Sequence, residues 1–210
     1  YAGLVYYSFS RAETIKRCPY NSALPIHVGM DFNVNPMSAT IWQEQPDGEI
    51  WQVGEIEIPT ADTGIMADEL ATQYGKRGFD PLKPDIAHIT IYPDPAGAQR
   101  RTSAQGKTDL SILAEKGFRV LALQSHPLVR DRTNLFNAKL QSADGKRHAF
   151  MDFSCKRSIE CMERQVYKEG TSEPDKDGGF DHMNDASGYF FFGRYSHKPI
   201  FRTNIGHMGR

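Results

Sequence analysis

The sequence predicts an α/β protein with a mixed central sheet, in which an antiparallel three-stranded meander is extended by further parallel strands and flanked by helices. Three apolar extended segments, 26–32, 38–45 and 49–58, follow one another closely. After them, segments with strand and helix patterns alternate along the chain. Together these observations indicate a central sheet with helices packed on its faces.

The first three segments are expected to pair as a meander because the connections between them are short. The chain turns at 33–36 and again at 46–48, which reads Pro-Asp-Gly. In the second turn, proline presets the backbone of the first central position and glycine accepts a positive φ. The turn at 46–48 therefore predicts a hairpin.

The next part of the chain predicts helices and strands in alternation. A helix is expected over 59–75, where apolar residues recur at helical spacing, and a strand over 87–92. A second helix near 108–115 is stopped by Gly117, and a fifth strand follows at 118–123. This alternation supplies the further strands of the sheet.

The last part of the chain predicts three helices and one short extended piece. Apolar spacing indicates a helix over about 128–140, an extended piece at 149–153, and a helix over about 159–167 that ends by Gly170. The final helix is expected over 181–195, with its aromatic residues in contact with the core.

We expect three parts of the chain: an N-terminal arm or linker at 1–25, one domain at 26–195, and a poorly packed C-terminal tail at 196–210. The arm contains a strand-like apolar and aromatic run at 4–9, for which an edge strand is an equally good interpretation. Because the chain begins with Tyr1, it is interpreted as a domain excised from something longer.

Composition argues against several classes of protein. The chain has 210 residues, enough to bury a sizeable core, and its formal net charge of −1 argues neither for a uniformly basic nucleic-acid-binding protein nor for an acidic tail. The three cysteines lack disulfide-framework or zinc-site spacing and are interpreted as core or half-buried thiols in a reducing compartment. No run reaches the roughly 18 apolar residues of a membrane span. P-loop, dinucleotide-binding and Gly-x-Ser-x-Gly motifs are also absent from the sequence.

Acidic residues far apart in the chain carry the functional signal. Asp31 ends the first strand, Asp94 follows the fourth strand, and Asp181 and Asp185 lie on one face of the last helix. A buried, unpaired carboxylate costs several kcal/mol unless a cation compensates it. Oxygen ligands of this kind suit Mg²⁺ or Mn²⁺. We therefore expect Asp31, Asp94 and Asp185 to bind two such ions and to support phosphodiester hydrolysis.

Simpler structural roles stay open for each of these acids. A strand-end aspartate is most often a turn residue, Asp94 between two prolines suits an Asx turn, and Asp181 suits a helix N-terminus. Asp185 is preferred to Asp181 as third ligand because it lies one turn inside the helix. Asp181 and His182 are then candidates for auxiliary metal roles. Glu55 on the third strand is a further candidate, although solvent is the default environment for its face.

Three segments of the sequence carry a family resemblance. They are Val-Gly-Met-Asp-Phe at 28–32, Tyr-Pro-Asp-Pro-Ala-Gly at 92–97 followed by Gln-Arg at 99–100, and Phe-Asp-His-Met-Asn-Asp-Ala at 180–186 with Tyr189. Together with residues 3–9, they resemble the C-terminal nuclease domain of the large terminase subunit of tailed bacteriophages, in the ribonuclease H-like superfamily. The resemblance covers most of the chain, from Tyr1 to about Tyr195.

The resemblance implies an endonuclease that cuts concatemeric viral DNA during genome packaging, with Asp31, Asp94 and Asp185 as its metal-binding triad. It implies double-stranded DNA, the portal protein, the small terminase subunit and an ATPase motor domain as partners. The place of action would be the host cell cytoplasm, outside the mature virion. The chain departs from the full subunit because it contains no Walker motif, so it would be the nuclease portion alone.

Duplex binding would rest on phosphate contacts and depend strongly on salt. The candidates for these contacts are basic residues on two turns, although loop lysines and arginines are normally just solvated. They are Arg100, Arg101 and Lys107 beside the Asp94 turn, and Lys146 and Arg147 on the later turn.

Two other functions stay open at this point. A Holliday-junction resolvase or a transposase shares the fold and the carboxylates, but it would need a different partner-binding region after Leu123. A non-catalytic nucleic-acid-binding assembly module would use the same acids only as turn residues and helix caps.

Overall fold

The computed structural model describes residues 3–77, 84–99 and 106–203, and within these ranges the chain forms six strands and six α-helices. The strands are β1 (Ile26–Asp31), β2 (Met37–Glu44), β3 (Ile50–Ile58), β4 (Ile89–Pro93), β5 (Arg119–Val120) and β6 (Ala149–Met151). The helices are α1 (Arg11–Thr14), α2 (Thr63–Tyr74), α3 (Asp109–Glu115), α4 (Val129–Leu140), α5 (Lys156–Arg164) and α6 (His182–Tyr195). A short 3-10 helix, Pro95–Ala98, follows β4.

The strands form one sheet in the order β5-β4-β1-β2-β3-β6. β1, β2 and β3 pair antiparallel as a meander, whereas β4 pairs with β1, β5 with β4 and β6 with β3 in parallel. At the β2–β3 hairpin, Gly48 has φ of 91°, which only glycine adopts without strain. The predicted α/β class with a mixed sheet and flanking helices is confirmed.

Side chains of β1 alternate between the two faces of the sheet, and each face carries its own core. Ile26, Val28 and Met30 pack on the face covered by α2 and α3. The opposite face meets α4, α5 and α6 through a cluster that includes Trp42, Phe136 and the neighbouring Phe190 and Phe191 of α6. His27, Gly29 and Asp31 are the β1 residues that alternate onto this second face.

Helix α6 lies directly against β1 because of a single glycine. A Cβ at Gly29 would stand 2.0 Å from the backbone oxygen of Ala186, which real structures do not allow. Glycine therefore lets the helix approach the strand backbone. This approach brings the end of β1 close to the first turn of α6.

The N-terminal residues differ from the predicted strand-like arm. Leu4 forms one isolated antiparallel bridge with Val166, and the chain then turns. Val5 and Tyr6 are buried in the second core, and the side chain of Asn137 donates a hydrogen bond to the Val5 oxygen at 2.9 Å. The aromatic run is apolar because it packs against α4 and α5, not because it extends the sheet.

Two further elements are shorter than expected. The predicted fifth strand is reduced to Arg119–Val120, and the predicted helix through Tyr167 ends at Arg164. Beyond it, Tyr167 forms a bridge with Pro174, so pairing between loops replaces the last turn of the helix. In the predicted tail, Phe201 forms an antiparallel bridge with Leu123, and the backbone of this part of the tail packs beside the sheet.

The interpretation of the cysteines agrees with the structure, since Cys18, Cys155 and Cys161 are all buried and unpaired. Burial raises the pKa of the Cys18 thiol to about 12. Within the described residues, no helix has both the length and the apolar character needed to cross a membrane.

Candidate metal centre and active site

Four aspartates and two histidines line one open pocket of about 540 Å³ at the carboxyl end of β1 and β4. β1 and β4 are adjacent and parallel, so Asp31 and Asp94 emerge at the same edge of the sheet. Asp181, His182 and Asp185 reach the pocket from the start of α6. The structure thus brings the three predicted ligands into one pocket, together with both predicted auxiliary residues.

Asp31 is the most buried of the three predicted ligands, with 8% of the residue exposed. Burial raises its pKa above the ordinary value for an aspartate. A hydrogen bond with His182 opposes this shift, and the negative charges of Asp185 and Asp94 add to it. Ionising Asp31 therefore carries a cost that its protein neighbours offset only in part.

His182 connects Asp31 to the start of α6. Its Nδ1 lies 3.2 Å from Asp31 Oδ2, and the side-chain nitrogen of Asn33 lies 3.0 Å from its Nε2. The hydrogen bond with Asp31 raises the pKa of His182. The ring therefore holds one oxygen of the Asp31 carboxylate in a defined direction.

Asp94 is both a turn residue and a carboxylate of the pocket, the two interpretations that the sequence allowed. Its Oδ1 accepts a hydrogen bond from the Ala96 amide at 2.8 Å and caps the short 3-10 helix, so the Asx-turn interpretation describes its backbone correctly. The same side chain lines the pocket, where His126 Nδ1 lies 3.4 Å from Oδ1. A turn residue can thus also present a carboxylate to the site.

Asp185 is held by two cations of different kinds. Arg132 Nη2 lies 2.6 Å from Oδ1, and Lys176 Nζ lies 3.1 Å from Oδ2. The Arg132 side chain is 5% exposed, and its guanidinium lies 4.4 Å above the ring of Tyr189. The Lys176 side chain is 56% exposed.

Asp181 also lies in the pocket and is 4% exposed. It occupies the N-cap position of α6, as the simpler interpretation predicted, but its side chain forms no capping hydrogen bond. Lys176 Nζ lies 3.5 Å from its Oδ2, whereas Oδ1 is buried and has no hydrogen-bond partner in the described part of the chain. A buried carboxylate oxygen without a donor is costly unless something else binds it.

Glu55 lies outside this pocket and performs a structural task. Its carboxylate accepts hydrogen bonds from the Arg157 amide at 2.9 Å and from the Ser158 amide at 2.8 Å, at the start of α5. The first amides of a helix lack partners within the helix, so an acid beside them is favourable. The placement of Glu55 in β3 is thus explained by the cap it gives to α5.

The predicted DNA-contacting residues are placed in different surroundings. Arg100 and Arg101 lie outside the described residues. Lys107 is exposed, and its Nζ lies 2.5 Å from Glu115 Oε2. Lys146 is also exposed, and its Nζ lies 3.6 Å from Asp144 Oδ2. Arg147 is 11% exposed and donates to the Ser8 oxygen at 2.8 Å and to Glu13 at 2.6 Å, so it offers little of its guanidinium to a phosphate.

Sequence reasoning missed Arg132 and Lys176. Arg132 precedes Phe136 and Leu140 by four and eight residues and therefore lies on the buried face of α4. That spacing was a usable signal. Lys176 lies in an irregular connector whose local pattern gives no information about its partners.

The donors in the pocket suit a hard divalent cation. Carboxylate oxygens are the ligands that Mg²⁺ and Mn²⁺ take, and Asp181 Oδ1 and the buried Asp31 both lack full compensation. Across residues 3–77, 84–99 and 106–203, no three acidic, histidine or cysteine side chains already stand as a preformed ligand cluster. Asp185 instead directs its two oxygens to Arg132 and Lys176.

A family model described as the terminase RNaseH-like domain matches residues 28–193, which is most of the chain and includes all the acids of the pocket. No curated protein gives a sequence match. The family resemblance inferred from the sequence motifs is confirmed.

Several solved structures share the fold. The large terminase of a thermophilic bacteriophage matches with 18% identity and a TM-score of 0.68, over 92% of this chain and 45% of that one. The large terminase nuclease domain of phage P22 matches with 13% identity and a TM-score of 0.64, over 89% and 90% of the two chains. The magnesium-bound large terminase nuclease of thermophilic phage G20c matches with 12% identity and a TM-score of 0.59, over 90% and 96%. This chain thus spans less than half of the first of these proteins and nearly all of the other two.

Proposed function

This chain belongs to the family of terminase RNaseH-like domains, and from that premise we propose that it is a metal-dependent DNA endonuclease that cuts concatemeric viral DNA during genome packaging. The observation that carries the proposal is the single pocket lined by Asp31, Asp94 and Asp185. Asp31 is buried beside other carboxylates, which costs stability and is typical of a functional site.

We propose that Asp31, Asp94 and Asp185 hold Mg²⁺ or Mn²⁺, two ions in the active state, and that Asp181 adds a fourth carboxylate. The bound ions would supply an activated water molecule and stabilise the leaving oxygen of a phosphodiester. The magnesium bound to the G20c nuclease, which shares this fold, supports the choice of ion.

The chain itself would orient the carboxylates. His182 holds Asp31 at 3.2 Å, the Ala96 amide holds Asp94 at 2.8 Å, and Arg132 holds Asp185 at 2.6 Å. Ligands fixed in this way lose little freedom when an ion binds, and their orienting partners matter almost as much as the ligands.

Double-stranded DNA is the proposed substrate, bound through its phosphates with little sequence preference. Lys107 and Lys146 are exposed and remain candidates for phosphate contacts, as do Arg100 and Arg101. The proposed partners are an ATPase motor domain, the portal protein and the small terminase subunit, in the host cell cytoplasm. The large-terminase match over most of this chain supports this assignment.

Nicking of supercoiled plasmid in the presence of Mn²⁺ or Mg²⁺ tests the proposal. We expect cleavage by the wild-type chain, no cleavage with EDTA, and a loss of at least about 100-fold in rate for Asp31→Asn and Asp185→Asn. Asp68→Asn is the matched control because Asp68 is an exposed acid on α2, and this variant should cut like wild type.

Two results would contradict the proposal. The catalytic assignment fails if correctly folded Asp31→Asn and Asp185→Asn cut as fast as wild type. A strong preference for four-way junctions over linear duplex would instead favour a resolvase of the same fold over a packaging nuclease.

A further inference from the structure

Two cations share the carboxylate of Asp185, and they differ in burial. Arg132 contacts Oδ1 with a side chain that is 5% exposed, and Lys176 contacts Oδ2 with a side chain that is 56% exposed. A divalent ion bound by Asp185 would have to coexist with these two positive charges. The surroundings of each cation indicate which of them remains on Asp185 when a divalent ion binds.

Arg132 is built into the second core. Its guanidinium stacks over Tyr189, and a Cβ at Gly188 would lie 2.7 Å from its Cδ, so the helix leaves room for this side chain. Moving Arg132 away would leave a buried gap and a buried carboxylate with one partner fewer. Arg132 is therefore a fixed partner of Asp185.

Lys176 reaches the same carboxylate from the connector between α5 and α6. The connector backbone near it is anchored, because Arg157 donates to the Gly179 oxygen at 2.7 Å and the Phe180 ring lies 4.2 Å from the Arg164 guanidinium. Only the four-carbon side chain must rotate to release the ammonium into water. Lys176 is therefore an exchangeable partner.

The Lys176 ammonium supplies positive charge at the point where two carboxylates of the pocket need it. Lys176 Nζ lies 3.1 Å from Asp185 Oδ2 and 3.5 Å from Asp181 Oδ2, so one cation joins two carboxylates of the pocket. Because like charges so close together repel, an ion between them stabilises the folded chain. Lys176 and a metal ion thus serve the same electrostatic need.

We propose that Lys176 is a resident counter-ion of the acidic pocket, which competes with the divalent cation for Asp185 and Asp181 and swings out when the metal binds, while Arg132 remains on Asp185 Oδ1. This inference rests on the proposed function, since it concerns metal binding at that site. It makes the concentration of free divalent ion a threshold for activity, set by a single exposed side chain.

Calorimetric titration of the purified chain with Mn²⁺ tests this competition without relying on cleavage. Lys176→Met keeps the length of the side chain and removes its charge, so it should bind Mn²⁺ about tenfold more tightly than wild type. Lys176→Arg keeps the charge and should bind no more tightly than wild type. Lys168→Met is the matched control for net charge, because Lys168 is exposed and forms no ion pair within the described part of the chain.

Thermal unfolding provides a second measurement. In EDTA, Lys176→Met should unfold at a lower temperature than wild type and Lys168→Met, because Asp181 and Asp185 lose their shared cation. Saturating Mn²⁺ should raise the unfolding temperature of Lys176→Met by more than that of wild type. Lys176→Gln should repeat both results if the competition is electrostatic.

The outcomes separate this inference from the proposed function. Mn²⁺ binding by wild type with unchanged affinity in Lys176→Met overturns the inference and leaves the metal site intact. Equal tightening in Lys168→Met also overturns it, because a general charge effect would then explain the change. Absence of Mn²⁺ binding in every variant overturns both proposals. Tighter binding by Lys176→Met without plasmid cleavage by any variant supports the competition and contradicts the nuclease.

Discussion

The two ends of β1 place titratable side chains on the same face of the sheet, but the two ends differ in how completely the charges around those side chains are balanced. His27 near the start and Asp31 at the end both face α6, four residues apart. Burial lowers the pKa of His27 to about 4, whereas burial raises the pKa of Asp31. Burial disfavours the charged form of both side chains, but protein partners balance the neighbouring charges only at the His27 end.

At the His27 end, the charges are matched by protein partners. Glu44 accepts from Arg194 at 2.8 Å and from the Tyr195 hydroxyl at 2.6 Å. His27 itself stacks on Phe190 with ring centroids 5.5 Å apart and behaves as a neutral core residue. The contribution of these residues to stability is sufficient to explain this arrangement.

At the Asp31 end, acids outnumber permanent cations. Among the described residues that line the pocket, four aspartates face Arg132 and Lys176 as the only side chains with a fixed positive charge. His126 and His182 add positive charge only when they are protonated. The comparison teaches that incomplete compensation, more than burial itself, distinguishes the end of β1 where we propose the metal site from the other end.

Arg132→Ala should have the largest effect on stability. Removing one partner of a buried ion pair costs about 4 kcal/mol in the free energy of unfolding, because Asp185 stays buried with less compensation. Arg194→Ala is the matched variant at the other end, where both partners are partly exposed and the cost should stay below about 1 kcal/mol. Urea unfolding in EDTA measures both. Similar losses of stability for the two variants would contradict the proposed difference between the two ends of β1.

The pH dependence of stability should report on His27. Its folded pKa of about 4 lies below the ordinary value of 6.5, so the unfolded chain takes up a proton first as the pH falls. Stability should therefore decline between about pH 6.5 and pH 4, by about 3 kcal/mol from this one group. His27→Gln should lose that much less than wild type when urea unfolding is measured at pH 7 and again at pH 4. Parallel curves for the two proteins would show that His27 is not held neutral.

Asp31→Asn should have a smaller effect of opposite sign. Because the fold disfavours the ionised carboxylate, the neutral amide should stabilise the metal-free chain by about 1 kcal/mol. Glu44→Gln at the other end should destabilise it, since Glu44 is well paired. Thermal unfolding in EDTA compares the two variants, and Mn²⁺ should then stabilise wild type but not Asp31→Asn. A destabilised Asp31→Asn would place Asp31 among the structural residues.

Much of the fold could be predicted from local patterns. The meander, α2, α4 and α6 lie within a few residues of their predicted positions, because apolar periodicity and turn residues act over short distances along the chain. The prediction failed at residues 4–9, where Leu4 pairs with Val166 more than 150 residues away, and at the end of α5, where Tyr167 pairs with Pro174. A local pattern carries no information about such a partner.

The candidate site divides in the same way. The sequence by itself determined that acids end β1, follow β4 and occupy the first turn of α6, since each position follows from the residues around it. Only the tertiary structure decided that Glu55 caps α5, that Arg147 secures the N-terminal segment, and that Arg132 and Lys176 share Asp185. The physical reason is that Coulomb attraction acts through space. Arg132 and Asp185 are 53 residues apart in the chain, and only the packing of α4 against α6 brings their charges within 2.6 Å.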